Sequence, residues 1–109
     1  MAFNEALAQR VRDMLYPLTP SEEKKMFGGI SFLVSGNMTV GVIHDDLIVR
    51  VGLENYENAL DKPGTDLFKP TGKPMAGWVT VSPDGQQTDE DLRHWIELAL
   101  GFVKTVPAK

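Results

Sequence analysis

The two histidines, His44 and His94, are the only imidazoles in the chain, and it contains no cysteine. Without cysteine there is no thiol nucleophile, thiolate zinc site, iron–sulfur cluster or disulfide framework. Neither histidine has a second histidine four residues away, so the helical zinc pattern is missing. His44-Asp45-Asp46 gathers ligand types in one place, but consecutive residues of a turn point apart, and aspartate favours turns for its own reasons. No segment fits a calcium loop, so no metal is assigned. The serines are Ser21, Ser31, Ser35 and Ser82, and none sits in a G-x-S-x-G elbow. Fifteen acidic residues allow many carboxylate pairs, yet no spacing sets two of them across a cleft. No catalytic residue and no cofactor is therefore assigned.

Gly28-Gly29 could suggest phosphate binding, but a phosphate loop needs more glycines with lysine after them, and a dinucleotide fingerprint runs strand, glycines, helix. Here a short helix is expected before the glycines and a strand after them. The structural reading is a sharp entry into that strand, with positive φ at glycine. Lys62, Lys69 and Lys73 against Asp66 make one Pro/Gly-rich stretch slightly basic, with Trp78 just beyond it. Lysine beside an aromatic can bind nucleic acid or an acidic partner. A simpler reading is solubility for the lysines and cover for the second face of a sheet, or a dimer contact, for Trp78. Eleven basic residues against fifteen acidic give a net charge of −4, which argues against general coating of nucleic acid.

The elements that must position these residues follow from periodicity. Phe3, Leu7, Val11, Met14, Leu15 and Leu18 recur at helical spacing, Asn4 suits the N-cap, and Pro17 ends the helix. Thr19-Pro20-Ser21-Glu22 then reads as a second, short helical start with a capping box. From Ile30 the period becomes two. Ile30-Phe32-Val34, Met38-Val40-Val42 and Leu47-Val49-Val51 predict a three-stranded meander, with turns at Ser35-Gly36-Asn37 and His44-Asp45-Asp46. Arg50 projects from the face opposite Val49 and Val51. Residues 53–60 predict two helical turns, residues 66–69 an edge strand, and residues 77–82 a further strand. The last helix starts at a Thr88 cap, and Leu92, Trp95, Ile96, Ala99, Leu100 and Val103 form its apolar stripe. Gly101 in that helix suggests close packing.

These 109 residues predict one domain spanning 1–109, large enough to bury a core unaided. No apolar run approaches the roughly 20 residues of a spanning helix. The N-terminus lacks the basic-then-apolar order of a signal peptide. A cytoplasmic location, with no membrane partner, is the expectation.

Lys24-Lys25-Met26-Phe27-Gly28-Gly29-Ile30 resembles the opening motif of the TfoX/Sxy N-terminal domain family. The hairpin at Val34-Ser35-Gly36-Asn37-Met38, the strand Leu47-Ile48-Val49-Arg50-Val51, and Gly72-Lys73-Pro74-Met75 before Trp78 extend the resemblance from about Leu15 onward. It implies an α+β, two-layer α-β3-α-β2-α fold like that of type III secretion chaperones, with an antiparallel five-stranded sheet. It also implies a role like that of regulators of natural competence and DNA transformation, which act alongside a transcription factor and carry a second domain. The family supplies no catalytic residues. The motif positions carried over as a binding surface are Met26, Phe27, Gly28, Gly29, Arg50, Lys73, Pro74 and Met75, with Trp78 beside them.

The resulting expectation is a non-enzymatic regulatory or protein-interaction domain with an unidentified protein partner, for which the resemblance suggests the transcription machinery. A homodimer would cover a sheet face or edge left open. Direct DNA binding is one alternative, disfavoured by the net charge but not excluded by it. A small-ligand or enzymatic pocket between the sheet and the Gly28-Gly29 turn is the other.

Overall fold

The computed structural model describes residues 3–26 and 28–108. Helix α1 spans Glu5–Leu15, with Leu7, Ala8, Val11 and Leu15 buried. Asn4 caps it, its side-chain oxygen accepting the Leu7 amide at 3.1 Å. The helix ends at Leu15, and Tyr16, directly before Pro17, keeps helical dihedrals and bonds its amide to the Arg12 carbonyl at 3.1 Å, so Pro17 ends the helix by lacking an amide to carry the ladder on. Two expected members of its apolar face lie outside it. Phe3 precedes the helix and bridges to His44, while Leu18 follows it and is 56% exposed.

The helical start expected at Thr19–Glu22 does not form. Glu22–Met26 is a strand, β1, paired antiparallel with β2 at Gly29–Val34. A helical nucleus of one turn, ending at a glycine pair, gains too few bonds for the dihedrals it fixes. Extended pairing with β2 instead gives the segment a ladder of backbone partners. The Ser21 hydroxyl donates to the Thr19 carbonyl at 3.0 Å, a local turn bond of the kind these residues prefer. Gly28-Gly29 is therefore preceded by a strand, and the sheet has six strands where five were expected.

β2 turns into β3 (Asn37–Ile43) through Ser35 and Gly36, whose φ values of +54° and +81° match a two-residue hairpin turn. β4 (Asp46–Arg50) completes the meander. Helix α2 (Leu53–Leu60), edge strand β5 (Thr65–Leu67) and strand β6 (Trp78–Val81) follow. A 3₁₀ turn at Pro83–Gly85 leads into helix α3 (Asp89–Val103). Thr88 caps α3 by accepting the Asp91 amide at 3.0 Å, and Asp89, Glu90 and Asp91 occupy its positive dipole end. The sheet order is β1-β2-β3-β4-β6-β5, antiparallel at each pairing.

One face of the sheet and the helices form the core. Ile30, Phe32, Val40, Val42, Leu47, Val49, Val79 and Val81 meet Leu92, Trp95, Ile96 and Ala99 of α3, and α1 adds its own buried side chains. The stripe expected on α3 is the buried set observed. The other face carries Ile48, 2% exposed, and the chain from Phe68 onward crosses it. Gln86, 3% exposed, ties strand ends together: its Nε2 donates to the carbonyls of Asp45 and Val81, and its own carbonyl accepts from Arg10. Among the described residues no helix is long and apolar enough to cross a membrane.

Candidate functional site

The expected binding residues divide into two groups at opposite ends of the sheet. Met26 pairs with Gly29 where β1 turns into β2, beside the β3 end that carries Val42 and Ile43. Gly28 has φ +75°, so the positive φ expected in this turn is present, at the first glycine. Gly29 serves a different purpose, because a β-carbon there would lie 2.1 Å from the Val42 carbonyl oxygen. Phe27, the remaining member of the motif, lies outside the described residues.

Arg50 closes β4 at the other end and pairs across the ladder with Trp78, the first residue of β6. Opposed residues of an antiparallel pair project to the same side of the sheet, so the two side chains meet there. The Arg50 guanidinium carbon sits 5.3 Å from the Trp78 ring centre and 5.2 Å from that of Phe102 in α3. Both distances lie within cation–π range. Phe68 stands against Trp78, with ring centres 6.2 Å apart. Two rings hold the cation, and no carboxylate forms an ion pair with Arg50 among the described residues.

The backbone beneath this cluster is tightly fixed. The Gly77 carbonyl accepts the amides of Val51 at 2.8 Å and Gly52 at 3.0 Å, tying the entry of β6 to the exit of β4. The Met75 amide donates to the Phe68 carbonyl, and the Trp78 amide to the Met75 carbonyl. Met75 is half-buried in that turn, whereas Lys73 and Pro74 are exposed at the tip of the same loop. Of the residues carried over from the family motif, Arg50 and Met75 thus share one region with Trp78, and Lys73 and Pro74 lie on its rim.

A groove adjoins this cluster between α2 and the C-terminal half of α3. Val51, Leu53, Leu98, Gly101 and Phe102 line it, with Glu54 and Glu97 at its borders, and it encloses about 540 Å³. Leu53 is 71% exposed. Gly101 is not closely packed as expected: a β-carbon there would meet nothing within 4 Å, and its place is the open wall of this groove. Phe102 belongs to both features, since its ring carries Arg50 and lines the groove. Sequence reasoning missed it. Phe102 precedes Val103 and falls off the apolar stripe, so periodicity gives it no role.

Other clusters have a plainer purpose. Arg12 grips Glu23 through Nε at 2.7 Å and Nη2 at 2.9 Å, and the Tyr16 hydroxyl donates to the same carboxylate. The Arg12 hydrogen bond holds Glu23 below the usual carboxylate range, while burial and then the Glu23 bond push the Tyr16 phenol up. This tethers α1 to β1. Asp46 is pushed up by burial and by neighbouring Asp45, at a 330 Å³ cavity shared with Ile48, Phe68, Lys69 and Thr80. His44 has φ +53° in the β3–β4 turn, as its reading as a turn residue implies. His94 lies exposed on α3 with its ring centre 5.8 Å from that of Trp95. No group of three metal-ligating side chains occurs among the described residues.

A family model described as the TfoX N-terminal domain matches residues 13–103. No curated protein matches the chain.

Proposed function

Because the chain belongs to the TfoX N-terminal domain family, we propose that it is a non-enzymatic regulatory domain that works by binding a protein partner. The observation that supports this is the Arg50 guanidinium, within cation–π reach of both Trp78 and Phe102 and without an acidic partner of its own among the described residues. Arginine and tryptophan in a fixed, partly desolvated cluster are the residue types that concentrate binding energy at protein interfaces. The two rings hold the cation in place and leave its N–H groups to meet a carboxylate of the partner. The neighbouring apolar groove supplies area that a partner would cover. The partner class is the cytoplasmic transcription machinery, in keeping with the competence and DNA-transformation regulators that the motif resembles.

The test is affinity capture from cell lysate, with the wild-type chain and Arg50→Ala side by side, read by quantitative mass spectrometry. A small set of proteins recovered by the wild type and lost with the variant supports the reading. Identical recovery by both chains overturns it. Fluorescence anisotropy on duplex DNA across a salt series runs in parallel: tight binding that weakens steeply with salt would replace the protein-partner reading with a nucleic-acid one.

A further inference from the structure

The Lys24–Gly29 motif takes no part in the Arg50 surface, which lies at the other end of the sheet. It belongs to the β1–β2 hairpin, and β1 is the outer strand, with no neighbour on its far side among the described residues. Its sequence from Glu22 is Glu-Glu-Lys-Lys, and all four residues are exposed. Met26 and Gly29 close the hairpin, so bonding towards β2 alternates from there: Glu22, Lys24 and Met26 bond inward, whereas Glu23 and Lys25 turn their backbone groups to the open edge. Glu23 shares the helix side of the sheet with Lys25, as its bond to Arg12 requires. Glu22 and Lys24 share the opposite side.

We propose that β1 is a self-association edge, at which two copies of this chain pair antiparallel about a two-fold axis through Glu23. The product is one continuous twelve-stranded sheet, six strands from each copy. A two-fold axis normal to the sheet keeps the helices of both copies on one side, so residues placed opposite must come from the same face. With the axis at Glu23, Glu22 of each copy faces Lys24 of the other, twice, in the closely spaced non-hydrogen-bonded pairing that favours opposite charges. Moving the axis to Lys24 sets lysine against lysine.

The two Glu23 carboxylates that meet on the axis each carry their own Arg12 and Tyr16, so they bring their counter-charge with them. Lysine on an open edge ordinarily discourages pairing. Here each lysine has a glutamate two residues away on its own face, which makes the edge complementary to itself. A second observation points to the same edge. Tyr16, 43% exposed, bonds Glu23 of β1, and Leu18, 56% exposed, lies in the segment that leads into that strand. The occupant is a second copy, because the charge order fits its own reverse.

Sedimentation velocity on the purified chain at low salt, at about 100 µM, tests this. The expected species has twice the 12.1 kDa chain mass. Glu22→Lys and Lys24→Glu each weaken association at least tenfold, because each sets like charges opposite. An equimolar mixture of the two variants pairs again, since all its cross-chain charges are opposite. Lys25→Pro also abolishes pairing while circular dichroism stays native, because its lost amide points to the open edge and not to β2. A monomeric wild-type chain overturns the proposal, as does a dimer indifferent to Glu22→Lys or a mixture that stays monomeric. A chain that gains a strand only from a different protein gives the monomeric result.

Discussion

Gly52 and Phe102 share one volume: a β-carbon on Gly52 would lie 2.3 Å from the Phe102 ring. Gly52 also has φ +83°, where a side chain is strained whatever the space around it. The exit of β4 must therefore be glycine for the ring that holds Arg50 to lie where it does. Gly52→Ala is expected to lower stability by about 1–3 kcal/mol and to push Phe102 off Arg50. Urea unfolding measures the first effect, and the α3 amide shifts in an NMR spectrum show the second. An unchanged denaturation midpoint would contradict the packing described.

Arg50→Lys keeps the charge and loses the planar guanidinium that lies over Trp78 and Phe102. Partner capture is expected to fall at least tenfold, about 1.4 kcal/mol, while the thermal midpoint stays near that of the wild type. Equal capture would show that charge alone suffices and that the rings are incidental.

Gln86→Leu preserves volume but removes the donor to Asp45 and Val81. Two carbonyls at the ends of strands then lack that partner, at an expected cost of about 1–3 kcal/mol. Gln86→Glu at neutral pH should be worse, since it sets a carboxylate against the same carbonyl oxygens. Thermal unfolding of the two variants gives the comparison, and equal stability of all three chains would remove Gln86 from the framework.

The acid side of the stability profile has two opposing contributors. Arg12 holds the Glu23 carboxyl below its ordinary 4.5, so the unfolded chain binds that proton more readily. The stabilisation from Glu23 is full above the unfolded value and fades as pH falls through the folded one. Asp46 runs the other way. Burial and Asp45 raise it above 3.8, so its contribution is favourable at acid pH and lost as pH rises through the folded value. Glu23→Gln should therefore destabilise at neutral pH and flatten the acid limb. Asp46→Asn should stabilise at neutral pH and leave stability below both values almost unchanged. Urea midpoints from about pH 3 to 7 separate the two, and a Glu23→Gln profile parallel to the wild type would refute the assignment.

Periodicity reached most of the framework because the core is made by regular patterns. Leu92 to Val103 forms a helical stripe, Val40, Val42, Leu47 and Val49 alternate, and Asn4 and Thr88 are side-chain caps whose bonds the structure contains. Strand β1 escaped because Glu-Glu-Lys-Lys has no apolar alternation: an exposed edge strand is held by backbone bonds, which composition does not encode. The cap-like Thr19-Pro20-Ser21-Glu22 then suggested a helix that nothing packs against. At the candidate site, Arg50 and Trp78 were named from motif positions, and cross-strand register brings them together. Phe102 was not legible, because its role depends on where α3 crosses the turn at Gly52, a long-range contact without a local signal.

The placement of β6 between β4 and β5 has a consequence for the order of events on a growing chain. β5 has β6 as its sheet partner, so residues 65–67 leave the ribosome before the strand they bond to exists. The meander of residues 22–50, by contrast, is built from local pairings and can close early. Arg50 is therefore in place first, receives Trp78 when β6 inserts, and acquires its second ring only when residue 102 arrives. The two-ring setting of Arg50 is thus the last part of the cluster to be completed: a nascent or truncated chain lacking α3 holds the cation against Trp78 alone.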